Sequence, residues 1–360
     1  MKPILYSIIS LALILAACGQ SGSKKSATTE NPPEEAKAEM PLNSVNPHIS
    51  TGSVERFSPE LDSIIPEGSL PEIIAEGFVW CEGPVWLPEQ NKLIFGDIPR
   101  NSIFQWSEKD GLSLYLDSAG YAGPSTGNNE LYGSNGLVLN LDGNLVLCQH
   151  GNRQVARMDA PLDHPDDNFT TLANQFNGKR LNSPNDVVFS KKGDLYFTDP
   201  PYGLPGQTDG PTKELGFQGV YKLSASGELT LIDDKLYRPN GIGLSPDNKT
   251  LYVSNSDPEH PLWKVYSLNE EGLPEEEHVF FDAAEYVKNR PDMGLPDGMV
   301  VGRKGNVFAT GPGGVYVFSP SGKLLGIINT GHANGNCTFN ADESVLYITA
   351  DMYLMRIKLR

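Results

Sequence analysis

Residues 185–199 read Asn-Asp-Val-Val-Phe-Ser-Lys-Lys-Gly-Asp-Leu-Tyr-Phe-Thr-Asp, and this stretch contains the unit that decides the fold. Asn185 comes before a short β-branched run, and a Gly-Asp turn at residues 193–194 leads to the apolar run at residues 195–197. Short runs of β-forming residues separated by Gly, Asn and Asp are typical of antiparallel strands joined by tight turns. The stretch therefore predicts the first two strands of a β-sheet.

The same unit recurs six times along the chain. Each copy begins with one polar residue, called here the leading residue, and these are Glu82, Asn135, Asn185, Asn240, Asp297 and Asn336. An apolar run follows ten or eleven residues later, then a third strand, and units one to five add a fourth. The sixth unit lacks its fourth strand, which residues 72–75 can supply. Such a repeat predicts an all-β fold, a six-bladed β-propeller whose last blade is closed by an N-terminal strand.

Composition excludes several classes of protein. The 360 residues contain 28 Lys and Arg against 45 Asp and Glu, a net charge of −17, so the chain would repel a nucleic-acid backbone. Four cysteines are too few for a disulfide scaffold. Cys81 and Cys337 lie on first strands of adjacent blades, where they are either packed free thiols or a pair. We expect a monomer that does not bind nucleic acid.

The first residues predict export. Residues 1–17 combine a charged start with a short apolar run, which describes a signal peptide too short to span a bilayer. Leu15-Ala16-Ala17-Cys18 resembles the bacterial lipobox, which implies a lipid on Cys18 and a position in the bacterial cell envelope. Residues 18–50 are rich in Ser, Pro, Glu and Lys and predict a flexible tether, with the propeller at residues 51–360. The alternative is a secreted protein with an incidental cysteine.

The leading residues are the candidates for a metal site. The first strand of each propeller blade lines the central channel, so these six residues should meet on one rim of the channel, called here the site rim. Every one offers an oxygen, and Glu82 and Asp297 add negative charge, which suits a hard cation such as Ca²⁺. Asn-Gly and Asp-Gly are also strong turn signals, but the shared register favours ligands.

Several motifs in this register resemble those of gluconolactonases. They are WCEGPVW (80–86), HGNR (150–153), RLNSPNDVV (180–188), FTDPPYG (197–203), RPNG (238–241) and LPDGM (295–299). The resemblance covers roughly residues 70–360. The wider family includes regucalcin (senescence marker protein) and the squid-type diisopropyl fluorophosphatase.

This resemblance implies a metal bound by Glu82, Asn240 and Asp297, with Asn185 either a fourth ligand or a substrate contact. Asp297 resembles the general base of the lactonases and the nucleophile of the phosphatase. The implied cofactor is a divalent cation, first Ca²⁺, with Mg²⁺, Mn²⁺ or Zn²⁺ as alternatives. The implied reaction is hydrolysis of a lactone such as gluconolactone, in which the cation polarises the carbonyl and Asp297 assists attack by water.

Two arginines are candidates for substrate binding. Planar guanidinium groups suit a carboxylate, so Arg153 and Arg180 could hold a sugar acid, although solvated charge is the alternative. The long loop at residues 199–218 shares the site rim and should overhang the pocket. Two other functions stay open: an organophosphate or other ester hydrolase that uses the same metal, and a binding propeller with a structural cation.

Overall fold

The computed structural model describes residues 41–123 and 131–360, which form antiparallel β-sheets with one short α-helix. The N-terminal part of this range contributes three strands, which are β1 (Asn43–Ser50), β2 (Ser53–Arg56) and β3 (Glu72–Glu76). Blade one contains β4 (Cys81–Leu87), β5 (Lys92–Asp97), β6 (Ser102–Ser107) and β7 (Gly111–Leu116). Blade two contains β8 (Ser134–Leu139), β9 (Leu145–Gln149), β10 (Gln154–Met158) and β11 (Phe169–Ala173).

The chain continues through a small hairpin into the next two blades. The hairpin strands are β12 (Gln175–Phe176) and β13 (Lys179–Arg180). Blade three contains β14 (Val187–Phe189), β15 (Leu195–Asp199), β16 (Gly219–Leu223) and β17 (Leu229–Asp233). Blade four contains β18 (Pro239–Leu244), β19 (Thr250–Asn255), β20 (Leu262–Leu268) and β21 (Pro274–Asp282), followed by helix α1 (Ala284–Asn289).

The last two blades recruit the N-terminal strands. Blade five contains β22 (Met299–Val301), β23 (Val307–Gly311), β24 (Gly314–Phe318) and β25 (Leu324–Asn329). Blade six contains β26 (Asn336–Phe339), β27 (Val345–Ala350) and β28 (Tyr353–Lys358). Strand β2 pairs with β25, while β3 pairs with β28 and carries β1 on its outer edge. The predicted closure of the last blade by an N-terminal strand is confirmed. Short 3₁₀ turns lie at Pro59–Ser63, Ile98–Arg100 and Gln207–Asp209.

The apolar side chains of the blades form six buried clusters, and each cluster is shared by two successive sheets. Ile74 and Leu354 of blade six pack with Phe95 and Phe104 of blade one, so the last blade packs against the first. Alternating side chains on twisted sheets give each blade two apolar faces to bury. The six apolar clusters between successive blades therefore close the blades into a ring.

The first strands of the blades line the central channel. A cavity of about 190 Å³ lies there and is bordered by residues from every first strand, among them Gly83, Leu137, Ile242, Met299 and Cys337. The leading residues come just before these positions. The fold therefore brings them to one end of the channel, as the repeat predicted.

The predicted tether extends too far. Composition predicts a tether as far as residue 50, but β1 pairs with β3 through backbone contacts that include Asn43 with Glu76 and Ser50 with Glu72. Most side chains of β1 are exposed, and Val45 alone in this strand is buried. Composition gave no sign of this strand because its backbone, and not an apolar face, holds it. Residues 1–40, with the signal peptide and Cys18, lie outside the described residues.

Two smaller points concern cysteines and membranes. Cys81, Cys148 and Cys337 are buried free thiols, so Cys81 and Cys337 do not pair. No helix within the described ranges is long and apolar enough to cross a membrane.

Candidate active site

The backbone fixes the register of the leading residues. Asn185 donates its NH to the carbonyl of Thr198 at 2.8 Å, and Asp297 donates to that of Thr310 at 3.0 Å. The equivalent donor in blade six is Gly335, whose NH lies 2.9 Å from the carbonyl of Thr349. The interpretation of Asn336 as the sixth leading residue was therefore wrong by one position. The sequence alone does not decide this position, because the first hairpins of the blades differ slightly in length. The leading residue can precede its apolar run by ten or by eleven residues.

Asn336 and Asp186 occupy the position after the leading residue in blades six and three. Each folds a side-chain oxygen back onto the next backbone NH, at 2.8 Å from Cys337 and 2.9 Å from Val187. The second oxygen of Asp186 accepts the NH of Ile242 at 3.1 Å, which ties blade three to blade four. These two side chains lie one residue deeper in the channel than the site rim.

Glycines allow the blades to approach closely at the site rim. A Cβ on Gly241 would lie 2.2 Å from the carbonyl oxygen of Asp297, which leaves no room for any side chain. A Cβ on Gly335 would lie 2.6 Å from Oε1 of Glu82. Because Gly335 has no side chain, the Glu82 carboxylate fills the space that a sixth leading side chain would need.

Three carboxyl groups meet at this end of the channel. Burial raises the pKa of Glu82 to about 8, with a further contribution from Asp186. Burial, then Glu82 and then Asp186 raise the pKa of Asp297 well above its usual range. Burial also raises the pKa of Asp186 to about 6. Each group is costly to ionise because it has lost water and faces other carboxylates.

Asn240 is held in contact with Asp297. Its Nδ2 donates to Oγ of Ser256 at 3.0 Å, and a hydrogen bond from Asn240 lowers the pKa of Asp297, although by less than burial raises it. The Ser256 hydroxyl in turn donates to the carbonyl of Pro296, the residue before Asp297. Asn185 is 2% exposed, and its backbone carbonyl accepts the NH of Gly136 at 2.7 Å. These contacts set the amide of Asn240 beside Asp297 and fix the buried backbone of Asn185 at the equivalent position of blade three.

The donor set suits a hard cation. Glu82 and Asp297 supply charge, and Asn185 and Asn240 supply neutral oxygens on the same site rim. Across residues 41–123 and 131–360 no three His, Cys, Asp or Glu side chains form a metal-binding group on their own, so a cation here would depend on the amide oxygens. Oxygen ligands of mixed charge are what Ca²⁺ and Mg²⁺ prefer.

The two predicted substrate arginines differ in their surroundings. Arg153 is buried, and its Nε donates to the carbonyls of Leu181 and Asn182 at 2.7 and 3.1 Å. Its Nη1 donates to the carbonyl of Thr212 at 3.0 Å, so most of this guanidinium holds backbone in place. Arg180 is exposed, and its Nη2 lies 3.3 Å from the carbonyl of Asn152. Neither arginine contacts the leading residues.

The predictions missed two residues that border the site, Tyr202 and Arg238. Burial and the nearby Asp297 raise the pKa of Tyr202, while hydrogen bonds to Ser256 and Asn240 lower it. The Arg238 guanidinium carbon lies 5.9 Å from the centre of the Tyr202 ring. Both stood in motifs already singled out, FTDPPYG and RPNG, but their contact joins two blades and has no signal in the local sequence.

A buried histidine lies on the same side of the propeller. His150 is fully buried, and its Nδ1 lies 3.1 Å from the carbonyl of Leu131. Burial lowers its pKa to about 4, so the ring is neutral at physiological pH. Among the residues that the structure describes, none forms a hydrogen bond with its buried Nε2.

Comparison with known proteins gives the family. The description "SMP-30/Gluconolactonase/LRE-like region" matches residues 80–351. The chain belongs to this family. It is 40% identical over 312 residues to Gluconolactonase from Zymomonas mobilis, a match that covers 86% of each chain. The family predicted from the motifs, and with it a gluconolactonase-like enzyme, is confirmed.

Solved structures support the fold. A gluconolactonase from Xanthomonas campestris is 30% identical, with a TM-score of 0.75 over 89% of this chain and 99% of that one. A calcium-binding regucalcin from Agrobacterium tumefaciens has a TM-score of 0.60 at 17% identity, over 78% of this chain and 91% of that one. The six-bladed propeller is thus confirmed, and the regucalcin shares that fold.

Proposed function

We propose that this protein hydrolyses a sugar lactone at the site rim, using Asp297 as the general base. The observation that supports this most directly is the buried pair of carboxyl groups, Glu82 and Asp297, which interact with each other next to Asn240. The relatives named gluconolactonase support the same reaction class. Gluconolactone is the first substrate to test.

The proposal includes a divalent cation held by Glu82, Asn240 and Asp297, with Asn185 as a fourth ligand or a substrate contact. A divalent cation supplies Lewis-acid polarisation of the lactone carbonyl and offsets buried negative charge. The donor set and the mutual repulsion of the carboxylates support Ca²⁺ as the first candidate. Mg²⁺, Mn²⁺ and Zn²⁺ are the alternatives to compare.

The chain's own groups account for the proton transfers. Asp297 accepts a proton from the attacking water as the oxygen of that water bonds to the lactone carbonyl carbon. The bond from that carbon to the ring oxygen then breaks, and the ring oxygen takes the proton back from Asp297 to become the hydroxyl of the open hydroxy acid. Asn240, which Ser256 holds through a 3.0 Å hydrogen bond, lies next to Asp297, and Gly241 permits the close approach of the Asp297 backbone.

A pH-indicator assay with gluconolactone, with and without chelator, tests the proposal. We expect a rate that chelator removes and that added Ca²⁺ restores. The Asp297→Asn variant should lose at least about a thousandfold in kcat, the range seen when a base and its charge are both lost. Asp342→Asn, an exposed change on a hairpin at the opposite end of blade six, is the matched control and should retain full activity.

Two outcomes would overturn the proposal. Undiminished hydrolysis by Asp297→Asn would remove Asp297 from the mechanism. If no lactone were hydrolysed and a phosphotriester were, the ester-hydrolase alternative would replace it; if neither were, the binding alternative would. Thermal unfolding with each cation gives a readout that does not depend on turnover, because a ligand that binds only the folded state raises the midpoint.

We further propose that the protein is anchored in the bacterial cell envelope by a lipid on Cys18. The support is the sequence Leu15-Ala16-Ala17-Cys18 at the end of an apolar run. The full chain should partition into the detergent phase of a Triton X-114 extract, and Cys18→Ser should partition into the aqueous phase. Equal partitioning of the two would argue against the anchor.

A further inference from the structure

Arg238 is a cation fixed beside the site without a polar partner of its own. Its backbone NH donates to Oδ1 of Asn255 at 2.9 Å, and its carbonyl accepts the NH of Ser256 at 2.9 Å. Its guanidinium carbon lies 5.9 Å from the ring centre of Tyr202 and 5.8 Å from that of Tyr237. In the part of the chain that the structure describes, the guanidinium forms no hydrogen bond or ion pair, and Nε is buried without a partner.

Among the described residues, Nη1 and Nη2 of this guanidinium have no partner and remain available, whereas Nε is buried. Aromatic rings stabilise a guanidinium through its face and do not use its NH groups. The chain has 45 acidic residues, yet none of those that the structure describes pairs with Arg238. Arg153, in contrast, donates three hydrogen bonds to backbone carbonyls through Nε and Nη1, and its remaining Nη2 is buried. Of these two arginines, Arg238 is the one that can receive an anion.

Tyr202 connects Arg238 with both the site rim and a cavity. Its ring lines a cavity of about 350 Å³ together with Leu131, Tyr132 and Leu204. Its hydroxyl lies beside Ser256 and Asn240, where their hydrogen bonds lower its pKa. A volume of this size is in the range of small-molecule sites. Neither Asn240 nor Arg238 lines this cavity, but Tyr202 contacts both residues, so a ligand whose reacting group lies at Asn240 can extend along Tyr202 towards the guanidinium.

We propose that Arg238 binds an anionic substituent of the substrate, at the end of the lactone remote from its carbonyl. The inference rests on the proposed function and narrows the substrate class to lactones of sugar acids that carry a second negative group. Glu82, Asp186 and Asp297 would repel such a group from the channel, so it needs a cation outside the site rim. The planar guanidinium offers two parallel NH groups to a carboxylate or a phosphate.

The experiment compares three lactones in the wild-type chain and in Arg238→Gln. D-glucono-δ-lactone is neutral, a monolactone of glucaric acid carries a carboxylate, and 6-phosphogluconolactone carries a phosphate. In Arg238→Gln we expect KM for the anionic lactones to rise roughly 10- to 100-fold, as for loss of a charge-assisted bidentate contact. The value of kcat, and both constants for the neutral lactone, should change by less than about twofold.

Two further variants control for charge and stacking. Arg238→Lys keeps the positive charge but loses the bidentate edge, so it should recover part of the lost affinity. Arg303→Gln removes an exposed arginine from a hairpin of blade five, where it contacts Glu343, and should change none of the constants. The substrate with the larger change in KM identifies whether carboxylate or phosphate is the preferred anion.

Each outcome decides a different point. Equal changes for neutral and anionic lactones, or none, would overturn the role of Arg238 and leave lactone hydrolysis intact. A wild-type chain that hydrolyses the neutral lactone with the higher kcat/KM would also overturn it, whether or not Arg238→Gln folds. No hydrolysis of any lactone by the wild-type chain would instead be a failure of the proposed function.

Discussion

Glu82 and Asp297 show how strongly the surroundings of a side chain decide its chemistry. Both are ordinary carboxylates in the sequence, yet burial raises the pKa of each, with a further contribution from Asp186 at Glu82 and from Glu82 and Asp186 at Asp297. A raised carboxyl pKa means that the folded state holds its proton more tightly than the unfolded chain does. At high pH without a cation, ionisation of these groups therefore destabilises the folded state.

Replacing either carboxylate should stabilise the cation-free protein. In chelator at pH 8.5, Glu82→Gln and Asp297→Asn should each raise the unfolding midpoint, because each removes one of two repelling charges. The double variant should gain less than the sum of the two, since the same repulsion is relieved twice. Each single variant should also lose most of the rise in midpoint that Ca²⁺ gives the wild-type chain. Differential scanning fluorimetry measures all four chains, and additive gains would contradict direct coupling between the two carboxylates.

At the scale of the strand, threonine hydroxyls and glycines hold neighbouring blades in register. Thr198 Oγ1 donates to the carbonyl of Asn240 at 2.6 Å, and Thr310 Oγ1 donates to that of Gly335 at 2.8 Å. Both hydroxyls reach from the second strand of one blade to the leading position of the next. The leading residues are therefore positioned by the adjacent blade as well as by their own.

Gly241→Ala tests this positioning. The new Cβ would lie 2.2 Å from the carbonyl oxygen of Asp297 and 2.6 Å from Cα of Gly298, and backbone at both points cannot turn aside as a side chain can. We expect a loss of about 3 kcal/mol in the free energy of unfolding, the upper part of the range for overpacking, together with a lower kcat. Urea denaturation and the lactone assay measure the two effects.

Gly216→Ala is the matched control for that substitution. A Cβ at Gly216 meets nothing within 4 Å, so its effect should stay within about 0.5 kcal/mol. If Gly241→Ala and Gly216→Ala unfolded at the same urea concentration, the close approach of blades four and five would not cause the predicted loss in the free energy of unfolding.

Local sequence signals predicted the strands of each blade but not how neighbouring blades meet. The strands and their order followed from the repeat, because apolar runs and turn residues are local signals. The leading residues of blades one to five followed as well, since each is a polar residue that precedes its apolar run by ten or eleven positions. Blade six offers Asn334-Gly335-Asn336, and only the hydrogen bond from Gly335 to Thr349 selects among them. The contact of Arg238 with Tyr202 depends on how two blades meet, which no local pattern encodes.

At the scale of the whole molecule, buried carboxyl groups link stability to pH and to cation binding. Burial raises the pKa of Glu82 to about 8, of Asp199 to about 7 and of Asp186 to about 6. The folded state therefore binds more protons than the unfolded chain between about pH 4.5 and 8, and stability falls as pH rises through that window. His150 acts in the opposite sense at lower pH, because burial lowers its pKa to about 4.

We therefore expect the chelated protein to unfold at progressively lower temperature from pH 5.5 to pH 8.5. Added Ca²⁺ should raise the midpoint more at pH 8.5 than at pH 5.5, since ionised carboxylates bind the cation and protonated ones do not. Calorimetric titration in two buffers of different ionisation enthalpy should detect protons released on binding at pH 7. A midpoint that does not depend on pH in chelator, with no proton release, would contradict this linkage.

Closure of blade six by β3 and β28 has a consequence for how the protein is made. Glu82 emerges from the ribosome long before Gly335, against which its carboxylate packs, and before β28, which pairs with β3. A nascent chain that ends within blade five already contains Glu82, Asn185, Asn240 and Asp297. It has no closed ring, however, so Glu82 is not yet held next to Asp297. A cation would then bind at this site only in finished chains and not in chains interrupted during synthesis.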